Sequence, residues 1–190
     1  AAAFLRGLEG QGVKGCLKHF PGLGGTRVDS HKSLPELTDP AVVERALGPF
    51  RALARPDRLV MVAHVRTPWS DGLPASLHRG HAAGNPWGVE AAWVTDDLEM
   101  GAVDAWPWPE RVRRAIDAGH LALLVCQSPA ALAEASAALR ALPAADLEAS
   151  LQAGLRYRRG LPRPSGDGFD APAWRAWVRR VEAAAAELAG

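Results

Sequence analysis

The sequence predicts an α/β fold on a parallel sheet of about four strands. Three observations predict it. Four short apolar runs, at residues 13–17, 59–65, 91–95 and 121–126, are continuous rather than alternating, as in strands buried on both faces. Segments of helical period separate some of them. The polar residues that could do chemistry cluster just after these runs, where parallel sheets place their functional loops.

Taken in order, residues 1–10 look like a helix feeding the first run. Residues 40–53 carry Val42, Val43, Leu47, Phe50 and Leu53 at helical spacing, and Thr38-Asp39-Pro40 offers a cap and a proline in the first turn. Residues 66–90 hold several Pro and Gly breakers and read as a long loop with little helix. A short helix at 109–118 precedes the fourth run, and two Ala/Leu-rich helices, 129–142 and 144–157, follow it. Residues 161–170 (LPRPSGDGFD) read as a linker, and a terminal helix over 171–190 carries Trp174 and Trp177 on a face expected to dock. The domain reading is therefore 1–160, a linker at 161–170, and a final helix. Four parallel strands fit either a small open sheet or half of a (β/α)8 barrel, since a whole barrel takes about 200 residues or more.

Composition narrows the function classes. With 190 residues, 48% hydrophobic and 23% charged, the chain has the make-up of a globular domain. A net charge of +1 gives no electrostatic case for nucleic acid or an anionic membrane. No apolar run approaches the roughly 20 residues that cross a bilayer, and the start does not read as a signal peptide. Cys16 and Cys126 lie in apolar runs and are expected as buried reduced thiols. These features together describe a cytoplasmic protein.

Two clusters carry the chemistry. The first is Lys18-His19-Phe20-Pro21-Gly22-Leu23-Gly24-Gly25-Thr26-Arg27-Val28-Asp29-Ser30-His31. Within it a carboxylate, Asp29, stands two residues from an imidazole, His31, and can orient it and hold a proton on it. Such a pair makes an acid/base unit, although an Asp-Ser turn beside a surface His has the same spelling. The second is Thr95-Asp96-Asp97-Leu98-Glu99-Met100, where Asp96 is a candidate nucleophile and Asp97 a cap for the following turn; two capping aspartates are the alternative. Lys18, His19 and His64 end strand-like runs and could bind ligand hydroxyls. His78 and His81 flank Arg79-Gly80 with no third metal ligand nearby. Trp69 and Trp87 in the long loop are candidates for stacking on a sugar ring.

These motifs resemble glycoside hydrolase family 3, in its bacterial β-N-acetylhexosaminidase branch. The family's KHFPGHG-x-x-x-x-DSH-x-x-x-P reads here as KHFPGLGGTRVDSHKSLP, and its S/T-D-D-L-x-M as TDDLEM. AHV at 63–65, PASL at 74–77 and AIDAGHLALLVC at 115–126 follow in the family's order. The resemblance covers roughly residues 1–130. It implies the C-terminal half of a (β/α)8 TIM-type barrel. It also implies retaining release of terminal β-linked N-acetylglucosamine from glycans or cell-wall fragments. On its terms Asp96 matches the nucleophile, His31 the acid/base, Asp29 its partner in a dyad, and Lys18, His19 and His64 the substrate-binding positions. No metal or organic cofactor is required.

Leu23 departs from the family pattern, standing where KHFPGHG has its second histidine, and Ala122 stands where the family usually has Asp. Members of this branch have a barrel of more than one such half, so the chain is expected to need a separate N-terminal half-barrel or a second chain. Alternatives are a catalytically impaired half-barrel serving as a scaffold, or a phosphorolytic enzyme, because an imidazole donor does not repel phosphate as a carboxylate would.

Overall fold

All four apolar runs join one parallel sheet in chain order: β1 (Cys16–Phe20), β2 (Leu59–Val62), β3 (Ala92–Asp97) and β4 (Ala122–Leu124). They do so in a computed structural model that describes residues 1–163 and 170–189. Six helices accompany the strands among the described residues: α1 (Ala2–Gly10), α2 (Pro40–Leu53), α3 (Trp108–Asp117), α4 (Pro129–Arg140), α5 (Ala144–Arg159) and α6 (Ala171–Ala189). Sequential parallel order is that of consecutive β/α units in a barrel wall, and both outer edges of the sheet lack a strand partner among the described residues. The register pairs Phe20 with Val62, Val62 with Thr95 and Asp97 with Leu124. The carboxyl ends of the strands therefore meet at one rim.

The boundaries moved for physical reasons. In the first run, residues 13–15 complete the exit from α1, where the Val13 amide donates to the Leu8 carbonyl at 3.0 Å. The strand instead takes in Lys18, His19 and Phe20. The expectation of strands buried on both faces holds for β3 alone. In β2, Val60 and Val62 are buried against Val43, Leu47 and Phe50 of α2, while Leu59 and Met61 are only half-buried on the opposite face. β2 therefore alternates between buried and half-buried positions.

Asp39 caps α2 as predicted, accepting a 2.8 Å bond from the Ala41 amide. Less expected is that α2 runs on through Pro49, which removes one intrahelical bond. Burial of Leu47 and Phe50 on either side of it holds the turn in place. At the opposite rim Arg58, nearly buried, clamps Glu9 of α1 through bonds of 2.8 Å from Nε and 2.7 Å from Nη2. Its Nη1 also donates to the Leu53 carbonyl at the end of α2. This geometry is bidentate and largely out of water, where an ion pair is not screened as surface pairs are.

No helix bridges β2 and β3. Residues 66–90 fold as a loop with a short 3-10 turn at Ala75–Leu77, and this loop covers the helix-side face of the sheet. Trp87 packs edge-on to Phe20 (5.7 Å) and to Trp69 (5.6 Å). The sugar-stacking candidacy of Trp87 therefore gives way to a core role, because the missing helix leaves space that its ring fills. Phe20 is fully buried and also meets Phe50 at 5.2 Å and Trp93 at 5.0 Å. We expect Phe20→Ala to destabilise the fold by about 3–5 kcal/mol, read as a lowered denaturation midpoint.

Two buried histidines make the fold acid-sensitive. His81 binds Thr67 Oγ1 at 2.7 Å and His78 Nδ1 at 2.8 Å, and burial foremost pushes its pKa down to about 4. His120 donates from Nε2 to the Ser76 carbonyl at 2.8 Å, its Nδ1 has no partner, and burial pushes it also to about 4. Both ring pKa values lie below that of an unfolded histidine, near 6.5, so the unfolded chain binds more protons between those limits. Stability is full above pH 6.5 and falls as pH drops toward 4, by up to about 3 kcal/mol per histidine. Thermal melts across that window should show the loss, and replacing His81 and His120 by Gln should flatten the slope.

Two other expectations change. Cys16 and Cys126 are free thiols, as predicted, but both are exposed rather than buried, since β1 is an edge strand and Cys126 lies beyond the end of β4. Trp174 and Trp177 stack on each other at 5.0 Å and each stays 52% exposed, so they are not sunk into the core. Of the predicted linker, residues 164–169 lie outside the described residues. No described helix is long and apolar enough to cross a membrane.

Candidate active site

The shared rim of the strands opens into a cleft of about 360 Å³, lined in part by Lys18, His19, Asp29, His31 and Asp96. Five of the six predicted site residues thus converge from two chain segments far apart in sequence. β1 delivers Lys18 and His19, the loop after it delivers Asp29 and His31, and β3 delivers Asp96. Peptide bonds Lys18–His19 and Phe20–Pro21 are both cis.

Asp29 and His31 form the dyad their spacing predicts. His31 Nδ1 lies 2.9 Å from Asp29 Oδ1, and the His31 backbone amide donates to the same oxygen at 3.0 Å. A carboxylate can only accept, so Nδ1 carries the hydrogen and Nε2 is the nitrogen left to exchange protons. These two bonds hold the Asp29 carboxyl below the usual carboxylate range, backbone bond first. Asp29 is therefore ionised at neutral pH and orients the ring rather than donating a proton itself. The dyad is open to water, His31 by 74% and Asp29 by 54% of their side-chain surface.

Asp96 lies deeper. Its Oδ2 is 3.8 Å from His19 Nε2, too long for a direct hydrogen bond, and its side chain is 13% exposed. His19 is pulled below its ordinary pKa chiefly by burial, opposed by Asp96 and reinforced by Lys18 and His31. A neutral imidazole in this position donates or accepts hydrogen bonds without neutralising the Asp96 charge.

His64 is placed differently from the other candidates. It is fully buried and does not line the cleft. Its Nε2 donates to the Asp97 carbonyl at 2.8 Å, and its Nδ1 meets Ser76 Oγ at 2.6 Å. Burial pushes its pKa down, so it stays neutral and ties the end of β3 to the loop after β2. Both ring nitrogens are committed to the protein.

Sequence reasoning missed the clamp beneath Asp96. Asp97 Oδ1 accepts from the Glu99 amide (3.1 Å) and the Cys126 amide (3.3 Å), and its Oδ2 accepts from Gln127 Nε2 (3.0 Å). Glu99 accepts from the backbone amides of Gln127 (2.6 Å) and Ser128 (2.9 Å). The two carboxylates thus sew the β3 exit to the loop after β4. Asp97 caps the following turn as the sequence predicts, through the Glu99 amide, but no local signal reveals its partners almost thirty residues away. Leu23, Thr26, Val28, Ser30, Pro35 and Met100 also line the cleft.

Similarity to known proteins agrees with this geometry. Residues 1–155 match the sequence profile described as the glycosyl hydrolase family 3 N terminal domain. The chain is 40% identical over 156 residues to a beta-hexosaminidase of Alkalilimnicola ehrlichii, covering 77% of this chain and 43% of the relative. A Tolumonas auensis beta-hexosaminidase is 34% identical over 166 residues, covering 80% and 48%. The chain thus spans less than half the length of these curated relatives. Among solved structures, a family 3 beta-N-acetylglucosaminidase from a Paenibacillus superposes with a TM-score of 0.76 at 30% identity, covering 88% of this chain and 35% of that one. A beta-N-acetylhexosaminidase from Beutenbergia cavernae superposes at 0.71 with 27% identity, covering 84% and 51%. With its parallel sheet, its ordered motifs and a family match over most of its length, the chain belongs to glycosyl hydrolase family 3.

Proposed function

We propose that this chain supplies the catalytic residues for retaining hydrolysis of terminal β-linked N-acetylglucosamine, acting through a covalent glycosyl–Asp96 intermediate. The observation that carries the reading is the convergence of Asp96 and the Asp29–His31 dyad on one cleft. A retaining mechanism needs an ionised nucleophile and a proton donor that later turns base, placed on the two sides of the scissile bond.

In the first step Asp96 attacks the anomeric carbon, the glycosidic bond breaks, and Nε2–H of the His31 imidazolium protonates the departing oxygen. The ionised Asp29 stabilises that imidazolium and fixes its tautomer. In the second step neutral His31 takes a proton from water, the resulting oxygen attacks the anomeric carbon, and the bond to Asp96 breaks. Two inversions return the β configuration. Lys18 and neutral His19 hold sugar hydroxyls at the floor of the cleft, while His64 keeps the end of β3 in place from behind.

The open edges of the sheet and a span of less than half of each relative support a further part of the reading: an N-terminal half-barrel, or a second chain, completes the site. We place the substrate among cell-wall fragments and the reaction in the cytoplasm, a reducing compartment suited to two exposed free thiols. The test is to assay the chain on a chromogenic β-N-acetylglucosaminide, alone and joined to the N-terminal portion of the Alkalilimnicola relative. Turnover in the joined protein, with the β-anomer as first product, is expected. An inverted product, or a joined protein that folds but never turns over, would overturn the reading.

A second reading rests on the donor being an imidazole. A neutral or cationic ring leaves the second step open to phosphate, whereas a carboxylate would repel it. If phosphate raises the rate and a sugar 1-phosphate accumulates, the enzyme is a phosphorylase; rates independent of phosphate assign it to hydrolysis.

A further inference from the structure

We propose that Gly101 is a positioning residue for the proton donor: its bare Cα lets the loop carrying the dyad dock on the turn that follows the Asp96 strand. This rests on the acid/base reading of His31. The Gly101 amide donates to the His31 carbonyl at 3.1 Å, and the Ala102 amide donates to the Ser30 carbonyl at 3.1 Å. Both bonds act on the backbone of the dyad segment itself. The approach is so close that a Cβ on residue 101 would lie 2.6 Å from the Lys32 carbonyl oxygen, 2.8 Å from its carbon and 2.9 Å from the His31 oxygen. These neighbours are backbone atoms and cannot rotate aside, so any side chain at 101 has to move the loop.

The turn that receives the loop is rigid. Leu98, Met100, Ala102 and Val103 are buried. Arg111, itself nearly buried, donates from Nη1 to the Leu98 carbonyl at 2.6 Å and from Nε to the Trp106 carbonyl at 2.5 Å. Asp97 and Glu99 fix the start of the same turn through the loop after β4. By contrast the dyad projects into water, and its side chains are fastened mainly to each other. Registration of His31 against Asp96 therefore passes through the two amide-to-carbonyl bonds. Displacement of a reacting group by about 1 Å costs on the order of 10²-fold in rate.

The test uses Gly101→Ala beside His31→Gln in the joined protein, on substrates with poor and good leaving groups. A misplaced donor hurts a substrate that needs protonation more than one that does not. We expect Gly101→Ala to lower kcat about 10²-fold for the poor leaving group and far less for the good one, with KM nearly unchanged. Equal losses on both substrates, or none, overturn the proposal if His31→Gln shows the leaving-group dependence. If His31→Gln lacks it too, the acid/base reading itself has failed. A second measurement needs no activity. Trypsin cuts after Arg27 and Lys32 in the loop, and in the 190-residue chain Gly101→Ala should speed that cleavage about tenfold at an unchanged melting temperature. Unchanged cleavage overturns the docking role.

Discussion

Replacing Asp96 with Asn should lower turnover of the completed barrel by roughly 10⁴–10⁶-fold, the scale seen when an enzyme loses its nucleophile. The substitution keeps shape and removes charge. Asp96 sits at the end of the most buried strand, beside a histidine that burial keeps neutral. The Asp97 amide already bonds Asp96 Oδ1 at 2.9 Å, and an asparagine oxygen can accept that bond equally well. Folding should therefore survive, and circular dichroism with an activity assay checks both halves. Binding of N-acetylglucosamine should remain measurable in the variant, because the charge matters chiefly in the transition state.

Replacing His31 with Gln should cost about 10²–10⁴-fold, the usual share of general acid–base catalysis. The loss should depend on the leaving group, being large for an alkyl glycoside and small for a nitrophenyl one. Asp29→Asn should reproduce part of it, because the amide can still touch Nδ1 but no longer offers a full charge to the imidazolium. Fold stability should barely change in either variant, since both side chains are largely solvated.

Much of this arrangement was legible in the chain because it depends on local chemistry. The α2 cap follows from Thr38-Asp39-Pro40, and the dyad from a two-residue spacing that closes in one turn. Asp96 was legible because a parallel strand exposes its carboxyl end, and the register with β2 does the rest. What stayed hidden depends on residues distant in sequence. Asp97 and Glu99 find their partners on the loop after β4, and Trp87 becomes core because no helix follows β2. His64 looks like a strand-end ligand in the sequence, yet Ser76 and the Asp97 carbonyl take both its nitrogens. The cysteines misled for a related reason: apolar neighbours predict burial only where a second layer covers the strand. Leu23 lines the cleft with an apolar side chain.

The most direct measurement is capture of the intermediate. The joined protein carrying His31→Gln is treated with a fluorinated N-acetylglucosaminyl fluoride, whose good leaving group permits the first step while the lost base slows the second. After proteolysis, mass spectrometry should find one sugar per chain, on the peptide containing Asp96, and none after Asp96→Asn. Turnover with no adduct, or a sugar attached to another carboxylate, would contradict the assignment of Asp96 as nucleophile and His31 as its proton shuttle.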